Sequence, residues 1–101
     1  MRPIYMAYLD KARPVVVLTR ELVRDSMTSV TVAPITTRVR GLYSEVPVGA
    51  ENNLSAAGVI SCDNIQTISP SDLGEHIGWL LPSQEKALAE AISHAFDLDL
   101  L

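Results

Sequence analysis

Three short runs rich in β-branched residues constrain this chain more than any other feature: Pro14-Val15-Val16-Val17-Leu18, Ser29 to Ile35, and Gly58-Val59-Ile60-Ser61-Cys62. Branched side chains are crowded in a helix and pack well on a pleated surface, so each run reads as a strand. Pro14 lacks an N–H and is restricted to the first position of its strand or to an edge. The near-continuous apolar character of Pro14 to Leu18 points to a strand buried on both sides.

The remaining pattern fits around these three. Ile4 to Leu9 alternates imperfectly and reads as a first strand, joined to the second by the very short Asp10-Lys11-Ala12. Thr19 to Met27 is polar, and one helical turn is expected there with Leu22 and Val23 as its apolar contacts. Val39 to Tyr43 reads as a loop around Gly41, and Glu45-Val46-Pro47-Val48 as a short edge strand. Gly49 to Ala56 is a polar turn region, and Ile65 to Ile68 continues the strand at Gly58 after a polar step at Asp63-Asn64. Ser69 to Gly74 forms a turn or a single helical turn, and His76 to Leu80 a last short strand. The one clear helix is terminal. Ser83 is the expected N-cap, Glu85 sits in the first turn, and Leu88, Ala91, Ile92, Ala95 and Phe96 form an apolar stripe opposite Lys86, Glu90 and His94. Several short strands and one terminal helix imply a mainly β fold, a small curved sheet or barrel with the helix packed against it.

The chain has 101 residues, of which 48% are apolar and 20% charged, which suits one domain spanning residues 1–101 with its own core. No apolar run reaches the roughly 18–20 residues a membrane span needs. The first residues carry no signal-peptide pattern, and the lone Cys62 has no partner for an internal disulfide, so a reducing cytoplasm is expected. Net charge is −4, yet residues 1–40 carry seven basic side chains against three acidic ones, while residues 41–101 carry Lys86 against nine acids. That asymmetry suggests a basic face able to meet phosphates on an acidic protein. Cys62, His76 and His94 do not have the spacing of a zinc site, and no phosphate-binding glycine loop or nucleophile elbow is present. His76 and His94 read as structural or surface residues.

The residues with chemical promise are Arg13, Thr36 and Asp63. Arg supplies a planar fork of donors for a phosphate at any working pH, and Thr a neutral donor to the same oxygens. Each of these residue types is also ordinary at a strand end or turn. It is their series that is specific. Arg13-Pro14-Val15-Val16-Val17-Leu18, then Val32-Ala33-Pro34-Ile35-Thr36-Thr37, then Gly58-Val59-Ile60-Ser61-Cys62-Asp63-Asn64-Ile65-Gln66-Thr67-Ile68, followed by the terminal helix, resembles the MazF/PemK (Kid) toxin family over nearly the whole chain.

The resemblance implies an SH3-like curved sheet of the CcdB/PemK type and a sequence-selective endoribonuclease that cuts single-stranded RNA without metal or cofactor. It implies a homodimer with RNA crossing its groove, and an antitoxin whose acidic or disordered C-terminal segment occupies that groove. Carried over by position, Arg13 matches the catalytic arginine, Thr36 the accompanying hydroxyl, and Asp63 the base used by some members. Thr37, Arg38, Arg40, Asn64 and Gln66 match positions that contact RNA or shape its path. Attack by the RNA 2′-hydroxyl would then leave a 2′,3′-cyclic phosphate and a 5′-hydroxyl, with Arg13 on the nonbridging oxygens and placed to protonate the leaving oxygen. Two departures stand out. The usual long glycine-rich loop before the Arg-Pro pair is reduced to Asp10-Lys11-Ala12, and Ser61 stands where some relatives carry a second arginine. Two other readings of the same fold are a CcdB-like gyrase poison, disfavoured by the terminal Asp97-Leu98-Asp99-Leu100-Leu101, and an inactive antitoxin-binding module.

Overall fold

The computed structural model describes residues 1–21, 26 and 28–99. The helical turn expected around Leu22 and Val23 lies outside them. Seven strands form the sheet: β1 (Pro3–Tyr8), β2 (Ala12–Val17), β3 (Val30–Thr36), β4 (Glu45–Val48), β5 (Gly58–Ser61), β6 (Gln66–Ile68) and β7 (Leu73–Trp79). One helix, α1 (Pro82–Ala95), follows. The strand order is β4-β5-β3-β2-β1-β7, all antiparallel, with β6 also paired to β3. Among the described residues β4 and β7 do not pair with each other, so the sheet is open and curved and not a closed barrel. No helix among the described residues is long and apolar enough to cross a membrane.

Alternation along β2 and β3 sends side chains to two faces, and both faces are buried. On one, Ile4, Val16, Ala33, Ile35, Val46 and Ile60 pack against Leu80 and against Leu88 and Ala91 of α1. On the other, Ala7, Val15, Val17, Val30 and Val32 are covered by Tyr5, Leu9, Ile68 and Leu73. This two-sided burial is the physical content of the apolar run at Pro14 to Leu18. Burying one Val or Ile side chain contributes ~1.5–3 kcal/mol.

Three boundaries differ from expectation. β7 starts at Leu73, not His76, because its exposed polar residues hang from an edge strand that among the described residues pairs only with β1, where two irregularities in the register let it follow the curve. The helix is capped at Leu81, not Ser83. Pro82 takes the first helical position, and Gln84 Oε1 accepts the Leu81 N–H at 2.9 Å, the job a Ser or Asp side chain usually does in reverse. Phe96 follows the last helical residue and is exposed, so the apolar stripe ends one residue early, at Ala95.

A buried amide ties three elements together. Asn52, almost wholly inaccessible, accepts from Gly49 N at 3.0 Å and donates to Trp79 O at 3.0 Å. It also exchanges reciprocal hydrogen bonds with the Gln84 side chain at 2.6 and 3.1 Å. The end of β7, the turn at Ala50–Asn52 and the helix start are thereby locked in register. Arg2 acts similarly, donating to the carbonyls of Val17 and Leu18 at 3.0 and 2.8 Å, and so is committed to the scaffold.

Candidate active site

Arg13 and Thr36 meet because of strand register. Val17 pairs with Val32 and Val15 with Pro34. Continuing two residues along each strand puts Arg13 opposite Thr36 on the same face, just past the last paired residues. The third side of the site comes from a break in the neighbouring strand. Ile35 pairs with Ile60 and Val32 with Gln66, so three residues of β3 are matched by six. The surplus loops out as the turn Cys62–Asn64, and this carries Asp63 and Asn64 to the same place. Gly58 makes the junction possible, since a Cβ there would collide with the Thr36 carbonyl.

The result is an open cleft of about 310 Å³ lined by Arg13, Thr36, Arg38, Arg40, Asp63, Asn64 and Gln66, together with Asp10, Glu45, Ser61, Leu9, Pro34 and Leu42. Seven of the eight residues singled out in the sequence therefore share one cleft. Arg13 Nη2 lies 3.3 Å from Asp10 Oδ2 in the tight β1–β2 turn. Arg13 Nε is buried without a hydrogen-bond partner among the described residues. Thr36 Oγ1 accepts the Arg38 N–H at 3.1 Å, which leaves its own hydrogen free to donate. Asp63 Oδ2 accepts a short 2.5 Å hydrogen bond from the buried Ser44 hydroxyl, and Asn64 Nδ2 donates to Ser61 Oγ at 2.8 Å. Burial, and then the neighbouring Asp63, push the Cys62 thiol up to about 11, so it stays protonated beneath the cleft.

A family model described as PemK-like, MazF-like toxin of type II toxin-antitoxin system matches residues 3–96. The chain belongs to this family. It is 68% identical to Endoribonuclease MazF3 of Mycobacterium tuberculosis (strain ATCC 25618 / H37Rv) over 99 residues, which is 98% of this chain and 96% of that protein. Among solved structures it superposes on Mycobacterium tuberculosis toxin MazF-mt6 with a TM-score of 0.96 and 67% identity, covering 98% of this chain and 100% of the other. An endoribonuclease from mycobacterial species, solved in complex with its cognate antitoxin, shares the fold at 23% identity and a TM-score of 0.88, covering 98% of this chain and 95% of that one.

Thr37 is the residue that does not reach the cleft of this MazF-like chain. Thr37, one residue past the end of β3, lines a neighbouring hollow of about 360 Å³ with Met6, Pro14, Leu54 and Ile77, and Thr36 borders both spaces. The expected basic face is also modified. Three arginines line the cleft, but so do the carboxylates of Asp10, Glu45 and Asp63. Asp10, Ser44, Glu45 and Ser61 contribute to the site without having been picked out as site residues. Asp10, three residues before Arg13 in a tight turn, carried a local signal; the others depend on tertiary contacts.

Among the described residues no cluster of His, Cys, Asp and Glu is suited to hold a metal ion.

Proposed function

We propose that this chain is one toxin domain that cleaves single-stranded RNA sequence-selectively, using the RNA 2′-hydroxyl as nucleophile. The observation that carries the reading is the meeting of Arg13 and Thr36 on adjacent strand ends, in one cleft with two further arginines and two aspartates. Arg13 binds the nonbridging oxygens and neutralises the charge that builds on the phosphorane. Its pKa makes it a poor proton donor, so the departing 5′-oxygen is stabilised by hydrogen bonding to the guanidinium and protonated by water. Thr36, oriented by the Arg38 N–H, donates to the same phosphate. Asp63, held by Ser44, takes the 2′-hydroxyl proton, and Asp10 is the second carboxylate within the cleft. Arg38, Arg40, Asn64 and Gln66 follow the strand on either side. Arg13 to Asp10 is an internal pair, and a substrate phosphate competes with that carboxylate for the guanidinium.

On this reading the protein acts as a homodimer in the cytoplasm. It is restrained by an antitoxin, a partner of the kind with which the mycobacterial endoribonuclease was solved, and the occupying segment is acidic or disordered. A peptide of that kind orders on binding and competes for the arginines of the cleft. The test is product analysis on a long RNA of known sequence in excess EDTA. The reading predicts discrete cuts with 2′,3′-cyclic phosphate and 5′-hydroxyl ends. Products with 3′-hydroxyl ends, or no cutting until a divalent ion is added, would contradict it.

A further inference from the structure

The segment between Thr36 and Glu45 carries Arg38 and Arg40 to the cleft; its end is held by a turn bond from Glu45 N–H to Leu42 O at 3.1 Å and by Tyr43 against His94, and its middle is gathered by one side chain. Glu45 Oε1 accepts the backbone N–H groups of Arg40, Gly41 and Leu42 at 3.2, 2.8 and 3.1 Å, and Arg40 N also reaches Oε2 at 3.3 Å. Gly41 sits at φ +75, a conformation that turns consecutive N–H groups inward toward one acceptor. The two ends of the segment are tied to the site itself. At its start Arg38 N bonds Thr36 Oγ1, and at its end Ser44 bonds Asp63.

We propose that Glu45 is a positioning residue for the RNA-binding arginines. Its carboxylate gathers the loop backbone and thereby holds Arg38 and Arg40 where they meet substrate phosphates. This rests on the ribonuclease reading above and deepens it. Charge-assisted hydrogen bonds to a carboxylate are among the stronger ones available to a loop. Without them the loop keeps its two ends but loses its middle. Arg38 and Arg40 would then have to be ordered by the RNA at the moment of binding, so the effect falls on binding more than on chemistry.

The experiment uses the full chain and an RNA made uncleavable by a 2′-deoxy substitution at a mapped cut site. Binding is measured across a salt series for the wild type, Glu45→Ala, Glu45→Gln, Arg38→Ala/Arg40→Ala, and the triple variant. Each phosphate contact on a single strand contributes ~0.7 to the salt slope, so losing two contacts should flatten it by about 1.4 in Glu45→Ala. KM should rise about tenfold while kcat changes less than about threefold. Glu45→Gln keeps an acceptor oxygen and should restore most of the binding. The triple variant should bind no more weakly than Arg38→Ala/Arg40→Ala, since Glu45 acts through those two residues. Additive losses would make Glu45 an independent structural element and overturn the proposal, as would an unchanged slope. Tighter RNA binding by Glu45→Ala would also overturn it, by showing that the carboxylate blocks a phosphate position. Amide exchange in the wild type guards against a poorly folded variant: the N–H groups of Arg40, Gly41 and Leu42 should be protected, and free exchange there refutes the tether. A wild type that cuts no RNA would instead remove the ribonuclease reading itself.

Discussion

Arg13→Ala should reduce single-turnover RNA cleavage by about 10³-fold or more while leaving the fold intact. Removing one preorganised donor at a developing oxyanion commonly costs ~10²–10³ in rate, and this substitution removes the full positive charge as well. Arg13→Lys should recover only a small part, because an ammonium has the charge without the planar fork. Stability should move little. The Arg13–Asp10 pair is largely solvated on the aspartate side, and exposed pairs contribute only ~0–1 kcal/mol. The substitution also removes a buried N–H that has no partner among the described residues. Cleavage within tenfold of wild type would remove Arg13 from the chemistry.

Asn52→Leu should lower stability by about 3–5 kcal/mol, a large loss for a substitution away from the cleft. Leu keeps the heavy-atom count and branch point of Asn but has bulkier methyl groups, so some overpacking adds to the loss of the hydrogen bonds. The Gly49 N–H and the Trp79 carbonyl would each lose a partner, whereas the half-buried Gln84 amide would keep its bonds to Leu81, Pro47 and Glu51. An unsatisfied buried polar group costs ~1–3 kcal/mol. For a chain of this size each kcal/mol lowers the thermal midpoint by about 4–8 °C, so a drop of roughly 12 °C or more is expected in a melting experiment. A midpoint within two or three degrees of wild type, at about the resolution of such a melt, would mean the network does not hold the helix start to β7.

Much of the scaffold is legible in the sequence because β-branched runs and a helical stripe encode it locally. The runs ending at Leu18, Ile35 and Cys62 correspond to β2, β3 and β5, and Leu88 and Ala91 do bury against the sheet. Errors fall where tertiary contacts decide. β7 reaches back to Leu73 because β1 offers it hydrogen bonds, not because Gly74 and Glu75 favour a strand. The helix cap moved because a glutamine inside the first turn caps backward onto Leu81.

The site was legible to a lesser degree. Arg13 and Thr36 are ordinary residues in isolation, and only the register of β2 on β3 makes them neighbours. The family resemblance implies that pairing. Thr37 lines the adjoining hollow and not the cleft, a difference set by the chain's path just past the end of β3. Glu45 could not be singled out, since nothing in Leu42-Tyr43-Ser44-Glu45 shows that its carboxylate folds back on the preceding loop.

The central claim is that the protein positions a phosphate and RNA supplies its own nucleophile. The most direct measurement compares two otherwise identical oligonucleotides, one all-ribose and one with a single 2′-deoxy sugar on the 5′ side of the cut. The account predicts efficient cleavage of the first and none of the second at that bond. Cutting of the deoxy oligonucleotide at the same position would show that water or a protein group attacks instead, and the mechanism assigned to Arg13, Thr36 and Asp63 would be wrong.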